Sequence, residues 1–181
     1  MERRGVLAAA LFISGCGVGW AATAAELWLD VPFVPQQKQG CGPAAVSMVM
    51  QYWQQKLHRT AAAAADVDEI LSALPPGRHG VNATALLQYM QQHGYRAFAY
   101  AGDWDDVEQE LAKGRPLIAA LKPRGDDELH YVVLAGVNDA EHVVLMNDPA
   151  QRKLLKEDDA QFEREWKAAG NWTLLAVPEL K

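Results

Sequence analysis

Gln36-Gln37-Lys38-Gln39-Gly40-Cys41-Gly42-Pro43-Ala44-Ala45 runs straight into Val46-Ser47-Met48-Val49-Met50-Gln51-Tyr52-Trp53. A polar loop closed by glycine gives way to a segment that is apolar almost all round. That pattern predicts a buried central helix ending near Lys56. Pro43 belongs in its first turn, where a missing N–H removes no hydrogen bond. Cys41 stands at the junction, so a thiol is expected where backbone N–H groups and the helix dipole favour an anion.

The chain has two cysteines, and the other belongs to what reads as an export signal. Arg3 and Arg4 precede an apolar stretch, Gly5 to Ile13, and Ala22-Thr23-Ala24 offers a small-residue cleavage site. Ile13-Ser14-Gly15-Cys16 supports a second reading, a lipoprotein signal with Cys16 acylated and anchored to a membrane. An uncleaved anchor is the third. The apolar residues after Cys16 (Val18, Trp20, Ala21, Ala22) favour simple cleavage near Ala24 or Ala25. Each reading makes residues 1–25 an export signal and 26–181 one domain that is periplasmic or otherwise exported. Exported proteins usually pair their thiols. Cys41 has no partner left, so it is either an inert core cysteine or a nucleophile.

Half of the residues are hydrophobic and 22% are charged, the balance of an ordinary globular domain. The net charge is −6, and losing the leader makes it more negative. No basic stripe supports nucleic-acid binding. No H-x-x-x-H or Cys/His cluster points to a metal, and no Gly-rich phosphate loop points to a nucleotide cofactor.

Upstream of the loop, Leu27 to Val34 reads as an extended lead-in strand kept at an edge by Pro32 and Pro35. Downstream, Val67, Ile70, Leu71 and Leu74 predict a helix over 62–74, and Asn82 to His93 predicts another, stopped by Gly94. A strand over 95–100 and a helix over 104–112, capped by Asp103, follow. The second half turns β-rich: 116–121, then 130–137 and 142–147 as a hairpin around Asn138-Asp139-Ala140-Glu141. A helix over 158–168 and a strand over 172–177 complete the chain. Helices first and antiparallel strands after give an α+β fold.

A thiolate mechanism needs an imidazole partner and a group to orient it. Of five histidines, His58, His79 and His93 fall at helix ends or in a loop, and His142 follows a turn. His130 opens a strongly apolar strand after a polar loop, so its ring can face a cleft. Asp148, in Asn147-Asp148-Pro149, ends the paired strand and can lie beside it, although Asp-Pro is also ordinary turn chemistry. Gln36, Gln37 and Gln39 offer amides for an oxyanion, or simply a polar loop. The six tryptophans read as core rather than as a groove.

These residues carry a resemblance. Asp30-Val31-Pro32-Phe33-Val34-Pro35-Gln36 with Cys41-Gly42-Pro43-Ala44-Ala45 resembles the papain-like cysteine peptidases of the bacteriocin-processing type, which cut double-glycine leader peptides. Gly80-Val81-Asn82-Ala83 through Gly94-Tyr95 is similar to a second family block. Gly114-Arg115-Pro116, His130-Tyr131-Val132-Val133-Leu134-Ala135-Gly136 and Asn147-Asp148-Pro149 are similar to its histidine and aspartate strands. The likeness spans about residues 30–149. It implies a papain-like fold in which Cys41 is nucleophile, His130 general base and acid, and Asp148 orienting residue. It also implies an upstream glutamine as oxyanion donor. Transporter-fused members place that glutamine six residues before the cysteine, where Pro35 stands here. Stand-alone relatives with Pro-Gln point to Gln36, with Gln37 in reserve. The expected partner is a peptide or protein substrate, a leader peptide or an exported protein. With an export signal, a secretion or surface-assembly system such as functional-amyloid export is expected. A non-hydrolytic peptide-binding module, and acyl or amide transfer on the same residues, are the alternatives.

Overall fold

The apolar run after Cys41 forms one helix, α1 (Cys41–Lys56), buried on nearly all sides. The computed structural model describes residues 27–179. The expected export signal, with Cys16, lies outside the described residues. Helix α1 is surrounded because it is the middle of a layer, packed on one face of a seven-stranded antiparallel sheet. The sheet contains β1 (Leu27–Trp28), β2 (Tyr95–Ala101), β3 (Leu117–Leu121), β4 (His130–Asn138), β5 (Val143–Asn147), β6 (Leu155–Asp158) and β7 (Trp172–Pro178). Its order is β2-β7-β3-β4-β5-β6, with β1 beside β4.

Helices α2 (Val67–Ala73) and α3 (Ala83–Gln92) join α1 on its face of the sheet, and α4 (Trp104–Ala112) and α5 (Asp159–Ala168) cover the other. This explains the unbroken apolar strings of β3 and β4. Ile118, Ala120, Tyr131 and Val133 pack toward α1. Leu117, Ala119, Val132 and Leu134 pack with Phe162 and Trp166 of α5. Strands covered on both faces lose the polar alternation of half-exposed ones.

The α+β fold read from the sequence is the observed one, with three local differences. The lead-in strand, expected over 27–34, pairs only at Leu27–Trp28, and Leu29 N–H extends the ladder to Ala135 O at 2.7 Å. Pro32 and Pro35 have no N–H to continue it. The close approach requires Gly136, since a Cβ there would lie 2.8 Å from Trp28 Cβ. The helix expected over 62–74 is split. A 3₁₀ turn at Ala63–Ala65 is followed by extended Asp66, whose side chain caps α2 by accepting from Asp68 N. Ala65 O, which would continue the helix, instead accepts from Ser47 Oγ at 2.7 Å. Strand β6 was not expected. Its sequence, Leu-Lys-Glu-Asp, is short and charged, as suits an edge strand that must not pair with another chain. Its last residue, Asp158, then caps α5.

The second layer is testable apart from any chemistry. Phe162 is fully buried beneath β3 and β4. Phe162→Ala should cost about 3–5 kcal/mol, read as a fall in the denaturant midpoint. A loss under about 1 kcal/mol would mean that α5 does not close this face.

Candidate active site

The loop before α1 is a tight turn, with Gly40 N–H donating to Gln37 O at 2.7 Å. Gly40 is required there, because a Cβ would lie 2.6 Å from that same carbonyl. Helix α1 therefore begins with Cys41 and with no side-chain cap and no acidic residue in its first turn. The positive end of its dipole is left without a neutralising neighbour. Cys41 is nonetheless buried and unpaired.

Strand β4 starts next to that thiol. Gly42 faces both that strand and α3: a Cβ there would touch Tyr131 Cδ2 at an ordinary 3.4 Å but crowd Leu86 Cδ1 at 3.0 Å. His130 is the first residue of β4, near enough to the Cys41 thiol for each to shift the other's pKa. Nε2 donates to Asp148 Oδ1 at 2.7 Å, which leaves Nδ1 as the nitrogen for the thiol. Asp148 follows β5 directly. Its carboxylate also accepts from Ala150 N–H at 2.8 Å and from Gln151 Nε2 at 2.6 Å. Three donors on one carboxylate fix its orientation, and with it the ring.

The electrostatics follow from these contacts. Burial alone would raise the Cys41 pKa. The hydrogen bond to His130, the Tyr131 backbone N–H, the imidazolium charge and the Gly42 N–H outweigh it, and the thiol pKa is lowered. Burial likewise opposes charge on His130, yet the hydrogen bonds to Asp148 and Cys41 raise its pKa to about 9. Burial would raise the Asp148 pKa, but its bonds to His130, Ala150 and Gln151 lower it. The shifts run together: the contacts favour the thiolate at Cys41 and the imidazolium at His130, with Asp148 held as carboxylate.

The three glutamines separate. Gln37 Nε2 donates to Asp68 Oδ1 at 2.8 Å on the surface, and Gln39 Nε2 reaches Arg78 O at 3.4 Å. Gln36 is tied through its backbone, N–H to Pro149 O at 2.8 Å, immediately after Asp148. Its Oε1 is buried without a hydrogen-bond partner among the described residues. The other histidines stand elsewhere. His93 ends α3, stacked on Tyr89 at 4.1 Å. His79 and His142 lie 3.6 and 3.4 Å from Glu128 and Asp159 in exposed positions, and His58 follows the end of α1.

Gln151 and the Tyr131 amide were not singled out in the sequence. A glutamine three residues after the aspartate of an Asp-Pro turn was the available signal for the first. A backbone amide leaves none. A cavity of about 790 Å³ lined by Lys122, Arg124, Asp126, Gln161, Arg164 and Glu165 contains none of these residues. Among the described residues no cluster of three metal-ligating side chains occurs, and no helix is long and apolar enough to cross a membrane.

A C39-like peptidase structure from Bacillus anthracis superposes with a TM-score of 0.70 at 18% identity, covering 87% of this chain and all of that one. The double-glycine-motif protease of an AMS/PCAT transporter, solved with a leader peptide, gives 0.63 at 21% identity over 86% of this chain and 99% of its own. The peptidase domain of Streptococcus ComA, a bifunctional ABC transporter, gives 0.63 at 18% identity over 81% and 97%. These likenesses are of fold. No curated protein matches the chain by sequence. The Peptidase_C39 like family model matches residues 28–174, and the chain belongs to that peptidase family.

Proposed function

We propose that this protein is a thiol peptidase in which Cys41, His130 and Asp148 form the catalytic triad and Gln36 serves the oxyanion. The observation that carries the reading is the placement of His130 between the buried Cys41 thiol and the thrice-bonded Asp148 carboxylate, at an uncapped helix start. The Cys41 thiolate attacks the scissile carbonyl carbon, a C–S bond forms and the carbonyl pair moves onto oxygen. Collapse breaks the C–N bond while imidazolium protonates the leaving amine. Neutral His130 then takes a proton from water, hydroxide adds to the thioester, and the C–S bond breaks to restore the ion pair. The Cys41 N–H at the helix start and the Gln36 amide supply donors for the oxyanion. A half-turn of that amide exchanges Oε1 for Nε2 without changing its shape, so the unpartnered position can carry a donor.

The substrate class is a leader peptide or another exported polypeptide. The double-glycine-motif protease held with its leader peptide supports this choice. The N-terminal sequence supports an exported, periplasmic site of action serving a secretion or surface-assembly system.

Cys41→Ala should abolish turnover, and His130→Ala should lower it by about 10²–10⁴-fold, with both proteins folded by circular dichroism. An active Cys41→Ala protein would sink the mechanism. Gln36→Ala should lower kcat by about 10²–10³-fold, while Gln37→Ala stays near wild type. The reverse pattern would assign the oxyanion to Gln37.

The pH dependence has a definite sign. Below the lowered Cys41 pKa the thiol is protonated and activity is lost. Above about 9, His130 loses the proton it must give to the amine, and activity falls again. The profile of kcat/KM should be a bell whose alkaline limb lies near pH 9, with apparent values that belong to the pair. Asp148→Asn removes the charge that raises His130, so that limb should move to lower pH. An unmoved limb would exclude Asp148 as its cause.

A further inference from the structure

Strand pairing of the lead-in segment ends before it reaches the site. Leu29 N–H makes the last bond to β4, through Ala135 O. Gln36, five residues before Cys41, must still be held in place. Val31 is fully buried, so its carbonyl needs a donor from the protein. Asn147 supplies one. It is fully buried at the end of β5, and its Nδ2 donates to Val31 O at 3.0 Å and Pro32 O at 3.2 Å. Its Oδ1 accepts from Leu154 N–H at 2.9 Å, which closes the loop carrying Asp148, Ala150 and Gln151. Besides Asn147, the segment is tied to this loop by Gln36 N–H to Pro149 O and, on the surface, by Lys153 Nζ to Asp30 Oδ1; of the three, the Asn147 bonds are the buried ones.

One carboxamide therefore joins the strand end that carries Asp148 to the segment that carries Gln36. We infer that Asn147 is a positioning residue, one that registers the Gln36 amide against the Cys41–His130 pair. It touches none of the reacting groups. This rests on the peptidase reading and adds to it a residue that acts through Gln36 rather than through the imidazole. Aspartate would not replace it, because a carboxylate facing two carbonyls has no proton to donate.

The test is a double-mutant cycle on the full chain. A peptidyl-Gly-Gly aminomethylcoumarin amide reports turnover, a peptidyl-glycinal aldehyde reports oxyanion binding, and iodoacetamide reports the thiolate. Asn147→Ala should lower kcat about 10–100-fold, with KM within about twofold. Aldehyde affinity should fall in parallel, while the pH profile of alkylation stays as in wild type. In the Gln36→Ala background the further loss from Asn147→Ala should be under about threefold, because both changes remove the same interaction. If Asn147→Ala does not fold, Asn147→Ser, which keeps a polar atom but cannot span both segments, is read the same way. Unchanged kcat, multiplicative losses in the double variant, or a shifted alkylation profile would each overturn the inference. Those results leave the peptidase reading intact. A wild-type protein that is alkylated yet neither cleaves the amide nor binds the aldehyde would overturn the peptidase reading, and this inference with it.

Discussion

The close approach of the first turn of α1 to the first residues of β4 is the constraint on which the rest depends. Cys41 and His130 are far apart in sequence and meet where the first turn of α1 is packed between Tyr131 of β4 and Leu86 of α3, so closely that a Cβ at Gly42 would crowd Leu86 at 3.0 Å. Everything else about the site is local to one side or the other. The turn at Gln37–Gly40 aims the helix start, and the β4–β5 pairing brings Asp148 to the ring. The two halves register because α1 and β4 are both deep in the core, where a shift of a fraction of an ångström disturbs close packing. The rigidity of the platform thus comes from apolar burial, and the polar groups are carried at its rim.

Burial is also what the charges must overcome. Moving a carboxylate or ammonium group into a protein interior costs several kcal/mol after relaxation. Two opposite charges about 4 Å apart return about 4 kcal/mol at an effective dielectric of 20. The Coulomb attraction of the thiolate–imidazolium pair therefore does not by itself offset desolvation of both ions. A set of fixed donors adds to it and turns the thiol pKa downward. Asp148 has three hydrogen-bond partners within 2.8 Å, and the sulfur faces the Tyr131 and Gly42 amides and a helix start without a cap. These dipoles are oriented before the charges form and cost no reorganisation when they do.

Much of this was legible in the sequence because the decisive signals are local. Periodicity and hairpin logic place Cys41 at a loop-to-helix junction, His130 at the head of an apolar strand and Asp148 at the end of the next, while the roles of the three were implied by the family resemblance. Helix α4 was legible to the residue, since Asp103 and Asp106 form a reciprocal cap. The misses have a common cause. Helix 62–74 breaks at Asp66 because Ser47, a residue of another helix, takes the carbonyl of Ala65. The lead-in strand leaves the ladder after Leu29, where Pro32 and Pro35 have no N–H to continue it and the side chain of Asn147 takes the Val31 carbonyl instead. Strand β6 exists because β5 offers it an edge. Each outcome is set by a tertiary partner, and tertiary partners override local propensity.

The same distinction separates the glutamines. By polarity alone, Gln36, Gln37 and Gln39 are equivalent residues of one loop, and only the resemblance favoured Gln36. In the fold they differ through partners that lie far along the chain: Asp68 for Gln37, Arg78 for Gln39, and for Gln36 the backbone of Pro149. The two amides with surface partners have work that holds the loop to α2 and to the turn before α3. The third is fastened by its main chain, so its side chain is not needed to fix the loop. That division is what an oxyanion donor requires. A side chain that secures its own loop would have to release it to bind substrate, whereas one placed by its backbone can serve the reaction in the geometry it already holds.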